Sequence, residues 1–244
     1  MRNLLLKISY CGRNYHGFQV QKNAVSVQSV LQAAIQDLLG HQIEIKGCSR
    51  TDSGAHANEY FVGFKTPHVI SGENLVKALN ARLPGDIVVK NYEEKPPDFH
   101  ARYAVKTKEY IYKLSNQRFC DPFLDGLVYF CKGDPNPVKL NNLATCFVGE
   151  HDFKSLSAQG SGGMNTIREI YYFEVSKTAE MLLFRVSGNG FLYKMVRIMI
   201  GTLIEFARNK KNEQDILNLL ASGKRSGASR VVPACGLYLN KVIY

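Results

Sequence analysis

A carboxylate stands inside a turn-rich stretch of the chain, Gly47–Tyr60, whose sequence is GCSRTDSGAHANEY. Asp52 has Arg50 two residues before it and the hydroxyl-bearing residues Thr51 and Ser53 on either side. A cation and hydrogen-bond donors favour the ionised form of a carboxyl group, even where it is partly buried. An ionised, desolvated carboxylate can act as a nucleophile or as a base. The alternative is a turn aspartate that bonds its own backbone, which is common.

A second charged residue that could take part in chemistry is Arg197, in the helical stretch Gly190–Arg208. Its neighbours Val196 and Ile198 are apolar, so we expect the helix to be well packed. Two interpretations stay open. Arg197 belongs either to a basic stripe that faces solvent or phosphate, or directs its guanidinium at a carboxylate in a cleft.

Aromatic residues could supply a surface for a base. Tyr110 and Tyr112 alternate along the predicted strand Lys108–Ser115 and therefore share one face. Aromatic rings on a sheet face often stack on bases, whereas the alternative is ordinary core packing. The glycine-containing stretch Ser155–Glu169 lacks the P-loop pattern and indicates a flexible surface loop. The six histidines share no ligand spacing, so the sequence predicts no metal site.

The composition narrows the class of partner. The 244 residues are 45% apolar and 21% charged, which indicates a folded globular protein. The net charge of +10 favours a polyanionic partner, nucleic acid first, over a basic protein without one. The six cysteines form no CxxC pair and indicate reduced thiols, and no apolar run is long enough for a signal peptide or a membrane span. We therefore expect a cytoplasmic protein.

The first half of the chain reads as strand, helix, strand, strand, helix, strand, which is the split unit of ferredoxin-like folds. Ser26 and Ser71 are positioned to begin the two helices, and Gly40 and Pro84 to end them. The predicted strands are Leu4–Tyr10, Gln42–Lys46, Glu59–Lys65 and Asp86–Tyr92.

The second half repeats this order once one extra strand and one extra helix are set aside. Its predicted strands are Lys108–Ser115, Leu127–Phe130, Ile167–Ser176, Met181–Ser187 and Cys235–Ile243, and its helices are Val138–Val148, Phe191–Arg208 and Glu213–Ser222. We predict an α+β fold of two ferredoxin-like βαββαβ halves, residues 1–103 and 104–244. A continuous, mostly antiparallel sheet joins them, with helices on one side and a central cleft.

Five stretches resemble, in family order, the TruA family of tRNA pseudouridine synthases. They are ISYCGRNYHGFQVQ (Ile8–Gln21), SRTDSGAHA (Ser49–Ala57), FHARYAVKTKEYIY (Phe99–Tyr112), FLYKMVR (Phe191–Arg197) and PACGLYL (Pro233–Leu239). The departures from the family pattern are small: Ser49 replaces the usual Gly, Ala55 the usual Val, and Val232 stands where the family often has Ala. The resemblance covers nearly the whole chain.

This resemblance implies isomerisation of uridine to pseudouridine in the anticodon arm of tRNA, at positions 38 to 40, without cofactor or metal. It implies that Asp52 is the catalytic carboxylate, Arg197 its partner and Tyr110 a stacking residue. It further implies that Leu237 lines the uracil pocket, that Arg50 takes part in substrate binding, and that the protein is a homodimer.

Two other functions compete with this one. A non-catalytic RNA-binding α/β module would need the basic surface and the aromatic residues, but not Asp52. A small-molecule enzyme on the same fold is the other, because a fold does not determine function. The charge and the absence of a phosphate-binding motif in the sequence count against the latter.

Overall fold

A computed structural model describes residues 1–133, 135–158, 165–178 and 181–244. These residues form a mixed α/β fold with a mostly antiparallel ten-stranded sheet and five α-helices, which confirms the predicted class. The central cleft and the helices on one side stay predictions. The chain divides into two compact units, residues 1–106 with 238–244, and residues 107–237. The stretch 159–164 of the predicted glycine-containing loop lies outside the described residues.

The strands are β1 (Arg2–Tyr10), β2 (Lys46–Gly47), β3 (His56–Thr66), β4 (Ile87–Lys95), β5 (Thr107–Ser115), β6 (Tyr129–Phe130), β7 (Gly149–Asp152), β8 (Ile167–Lys177), β9 (Met181–Gly188) and β10 (Leu237–Ile243). The α-helices are α1 (Val27–Leu39), α2 (Gly72–Asn80), α3 (Pro137–Thr145), α4 (Met195–Arg208) and α5 (Glu213–Ser222). Short 3-10 turns connect several of them.

The first unit has the strand order of a ferredoxin-like half. β1 lies between β4 and β3, and β2 pairs with the far end of β3, all antiparallel. The C-terminal strand β10 runs parallel to the beginning of β3, with Tyr238 opposite His56. This pairing is why residues 238–244 belong to the first unit, although the predicted division counted them with the second half.

The predicted helix boundaries of the first unit follow local chemistry. The Ser26 hydroxyl accepts the Ser29 N–H at 3.1 Å and completes a capping box at the start of α1. Gly40 ends that helix in the left-handed conformation, as expected of a C-terminal glycine. The strand predicted at Gln42–Lys46 is shorter than expected: Ile43 and Ile45 are buried, but ladder pairing begins only at Lys46. Alternating apolar residues therefore indicated burial here rather than strand pairing.

The second unit contains the antiparallel order β5, β9, β8, β7, with β6 parallel to the end of β5. β5, β9 and β8 reproduce three strands of the ferredoxin-like order. α4 begins at Met195 and not at the predicted Phe191. The reason is that Lys194 has a left-handed backbone, with φ of 59°, which a helix cannot contain.

Candidate active site

The predicted carboxylate lies on a structured loop between β2 and β3. Asp52 is half-buried, and its carbonyl accepts the N–H of Ala55 at 3.1 Å, which closes a tight turn. Arg50 on the same loop is exposed. The structure therefore places the predicted Asp52 and Arg50 on one loop of the first unit.

The loop is held on one side by the segment Cys11–Phe18, which follows β1. The Tyr15 carbonyl accepts the N–H of Gly54 at 3.1 Å and the hydroxyl of Ser53 at 3.5 Å. A Cβ atom on Gly12 would collide with the carbonyl of Ala55, so the two backbones are in direct contact. These contacts hold the part of the loop that follows Asp52.

The part of the loop before Asp52 is held by tyrosine hydroxyls. The Tyr60 hydroxyl donates a hydrogen bond to the carbonyl of Ser49, and the Tyr10 hydroxyl lies 2.8 Å from the Thr51 hydroxyl. The Tyr60 ring is itself fixed by stacking on Phe18, with the ring centroids 4.3 Å apart. Asp52 is therefore held from both sides by buried aromatic residues and close backbone contacts, as a precisely placed catalytic group requires.

Two features of Gly17 disfavour any residue with a side chain at this position. Its φ is +81°, and a Cβ atom there would collide with the carbonyl of Thr51. Gly40 shares the positive φ, at +68°, but a Cβ there would meet nothing within 4 Å. Alanine substitutions at Gly17 and at Gly40 can therefore be compared to distinguish the cost of backbone strain from the cost of a clash with the Asp52 loop.

We expect Gly17→Ala to destabilise the protein more than Gly40→Ala does. Left-handed strain alone costs about 1–2 kcal/mol in either variant, and only Gly17→Ala also displaces the loop. Denaturant unfolding measures the stability difference, and turnover should fall in Gly17→Ala alone. Equal stability and equal turnover of the two variants would contradict the contact with the loop.

The other predicted site residues belong to the second unit: Tyr110 lies on β5, Arg197 in the first turn of α4, and Leu237 is the last residue of the unit and the first of β10. Tyr110 is 7% exposed, and its ring meets Phe191 edge-on with centroids 5.1 Å apart. Leu237 is buried. The burial of Tyr110 against Phe191 supports the packing interpretation of this residue, and its stacking on a base stays a prediction.

Arg197 is half-buried, and its position is fixed by backbone atoms. Its Nε donates to the carbonyl of Val232 at 2.7 Å, and the Val232 N–H lies 3.5 Å from the Arg197 carbonyl. The Tyr112 hydroxyl donates to the next carbonyl, that of Pro233, at 2.9 Å. The segment that leads to Leu237 is therefore attached to both α4 and β5.

The charge of Arg197 acts in a desolvated environment. Burial raises the pKa of the Tyr112 hydroxyl far above its ordinary value, and the Arg197 charge opposes this shift. Burial likewise raises the pKa of the Cys235 thiol, against a smaller lowering by Arg197. A guanidinium in such surroundings is suited to stabilising a negative group because water screens it poorly.

Several residues that hold these side chains were not proposed as site residues from the sequence. Around Asp52 they are Gly12, Tyr15, Gly17 and His56, and beside Arg197 it is Val232, which was noted only as a departure from the family pattern. The spacing of Gly12 and Gly17, five residues apart, could have indicated that the backbone of this segment approaches another backbone closely.

Within the described residues, no group of three or more His, Cys, Asp or Glu side chains could hold a metal ion. No helix in this part of the chain is long and apolar enough to cross a membrane.

Comparison with known proteins defines the class. The sequence model of a family described as tRNA pseudouridine synthase matches residues 7–104 and 143–244. Asp52, Arg50, Arg197 and Leu237 fall inside these ranges, and Tyr110 lies between them. The chain belongs to the tRNA pseudouridine synthase family.

Individual relatives are similar over their full length. The chain is 43% identical over 245 residues to "tRNA pseudouridine synthase A" of Ruminiclostridium cellulolyticum, with 100% of both chains covered. It is 42% identical to the protein of the same name from Clostridium acetobutylicum, again with 100% of each covered. These relatives confirm the resemblance to the TruA family. A chain of "Crystal Structure of a Cbf5-Nop10-Gar1 Complex" aligns with 96% of this chain and 57% of its own, at 12% identity and a TM-score of 0.39, too low to establish a common fold.

Proposed function

We propose that this protein is a tRNA pseudouridine synthase that isomerises uridine at positions 38 to 40 of the anticodon arm, with Asp52 as the catalytic carboxylate. The observation that carries the proposal is the loop of Asp52, which buried tyrosines and close glycine contacts hold on both sides. A reactive carboxylate needs such support, whereas an aspartate in an ordinary surface turn does not. Family membership supports the reaction class.

The reaction is an exchange of one bond for another within a nucleotide. The N1–C1′ glycosidic bond breaks, the uracil turns, and C5 bonds to C1′; C5 then loses its proton and N1 gains one. The base must leave the helical stack to be reached, as in other enzymes that modify bases. Asp52 can attack the ribose, deprotonate it or attack the uracil, and the three routes use the same ionised carboxylate.

The remaining site residues have supporting roles in this proposal. Arg197 pairs with Asp52 and keeps it ionised, and Tyr110 holds the uracil in place. Leu237 lines the uracil pocket, and the exposed Arg50 binds the RNA backbone. The half-burial of Arg197 and its fixed Nε favour a positioned guanidinium over a mobile surface cation. We further propose that the protein works in the cytoplasm as a homodimer, without a cofactor.

Binding of tRNA should weaken steeply as salt is added, because the net charge of +10 favours contacts with phosphates. Six phosphate contacts would give a slope of roughly −5 in a plot of log affinity against log salt, and less for single-stranded RNA. Filter binding or fluorescence anisotropy at several salt concentrations measures it. A nearly flat dependence would indicate a neutral ligand instead.

The function itself is tested on an unmodified transcript of tRNA. Formation of a C–C glycosidic bond releases the hydrogen at C5, so a transcript labelled with tritium at that carbon reports turnover directly. We expect release from transcripts with uridine at positions 38 to 40. Transcripts in which cytidine replaces those uridines are the control and should release none. Absence of release from the first set would refute the proposed function.

A further inference from the structure

His56 is a buried histidine four residues after Asp52, at the start of β3. It is only 1% exposed, and its ring stacks on that of Tyr238 with centroids 4.5 Å apart and an interplanar angle of 19°. Its Nδ1 lies 3.1 Å from the backbone nitrogen of Gly12. Because a backbone N–H can only donate, Nδ1 must be the acceptor and must carry no proton.

Gly12 lies at the beginning of the segment Cys11–Phe18, which holds the Asp52 loop. Gly12 is buried against the Ala55 carbonyl, and its own carbonyl accepts the N–H of Tyr15 at 3.0 Å. The Tyr15 carbonyl then receives the N–H of Gly54. One chain of contacts thus runs from the imidazole, through the turn at Gly12, to the loop that carries the carboxylate.

The other end of the segment is held by α1. The carbonyls of Gly17 and Phe18 accept the N–H groups of Val27 and Gln28, at 3.2 and 2.9 Å, in the first turn of α1. His56 and the Asp86 carbonyl, which accepts the Cys11 N–H at 2.9 Å, therefore hold the beginning of the segment, and α1 holds its end. Loss of the imidazole acceptor would leave the bonds at Cys11 and at α1 in place and release the Gly12 N–H, at the residue in contact with Ala55.

We infer that His56 is a positioning residue for Asp52, acting through the Nδ1 lone pair that holds the Gly12 N–H. This inference rests on the proposed function. His56 serves turnover rather than binding of the RNA, because its side chain is buried. Its removal should therefore change kcat and leave KM for tRNA unchanged.

Three substitutions separate the acceptor from the bulk of the ring. In His56→Asn the amide oxygen can occupy the position of Nδ1 and accept the same N–H. His56→Gln carries its amide one carbon further out, and His56→Leu has no acceptor at all. We expect kcat within threefold of wild type for His56→Asn, and at least tenfold lower for His56→Leu and His56→Gln. KM should stay within twofold in all three.

Asn80→Ala is the matched control for general destabilisation. The Asn80 amide accepts the Val89 N–H and donates to the Val89 carbonyl, each at 2.8 Å, at the end of α2. Like His56→Leu, Asn80→Ala removes the acceptor of a backbone N–H in the first unit. It should lower the unfolding temperature and leave kcat unchanged. Thermal unfolding of every variant establishes that each is folded at the assay temperature.

The possible results test the role of His56 separately from the proposed pseudouridine synthase function on which that role rests. If His56→Leu keeps kcat within threefold of wild type, or if His56→Asn loses as much as His56→Leu, the inference is overturned while the function stands. If His56→Leu does not fold, the comparison of His56→Asn with His56→Gln decides in the same way. A wild-type protein without activity on tRNA would overturn both.

Discussion

Asp52→Asn should abolish pseudouridine formation and leave the fold and RNA binding intact. The amide has nearly the shape of the carboxylate, and the loop contacts described above are made by the Asp52 backbone and by other residues of the loop, so they should persist. It has neither the charge nor the basicity that attack or deprotonation requires. We expect less than a few per cent of wild-type turnover, and the same from Asp52→Ala. Tritium release in a single turnover, with tRNA binding measured in parallel, tests this prediction.

Asp37→Asn is the control for Asp52→Asn. Asp37 is an exposed carboxylate of the same unit, and it pairs with Arg82 at 2.8 Å on the surface. Exposed pairs of this kind contribute about 0–1 kcal/mol, so the control should keep full activity. Turnover by Asp52→Asn above a few per cent of wild type would contradict the catalytic role. A non-catalytic RNA-binding protein would show no difference between the two variants.

Arg197→Ala should lose most of the activity near neutral pH. If Arg197 pairs with Asp52, its removal leaves a partly desolvated carboxylate without its cation, and breaking a buried pair typically costs about 3–5 kcal/mol. The carboxyl group can avoid part of this cost by taking up a proton, which removes its reactivity. Single-turnover rates at saturating tRNA measure the effect apart from binding.

Arg197→Lys should restore only part of the activity. A lysine supplies the positive charge but not the planar set of donors. In particular, it cannot place a donor at the Nε position, from which Arg197 bonds to the Val232 carbonyl at 2.7 Å. Arg82→Ala, which removes a surface arginine, is the control and should be fully active.

The alternative role of Arg197 gives a different result. If it faces phosphate as part of a basic stripe, both variants should raise KM for tRNA and flatten the salt dependence of binding. Turnover at saturating tRNA would then stay close to that of wild type. A near-wild-type single-turnover rate for Arg197→Ala therefore contradicts the proposed pairing.

The sequence predicted those features that depend on local patterns. Ser26 and Gly40 marked the ends of α1 because capping chemistry is local. Alternation and helical spacing found most elements of both units. The start of α4 was missed because the left-handed backbone of Lys194 breaks the helix within an apolar sequence that still has helical spacing.

The support of Asp52 could not be predicted in the same way. Gly12 and Ala55 are far apart in the chain, and their contact is made by backbone atoms, which have no sequence pattern of their own. The same holds for the Val232 carbonyl that receives the Nε of Arg197. The sequence identified the charged residues, whereas only the structure shows which backbone atoms fix them.

The most direct test is a map of pseudouridine in tRNA from cells that lack this protein. The account predicts that pseudouridine at positions 38 to 40 disappears in these cells, returns with the wild-type protein, and does not return with Asp52→Asn. Positions elsewhere in the same tRNAs serve as the internal control and should not change. An unchanged map in the absence of the protein, or full restoration by Asp52→Asn, would contradict the account.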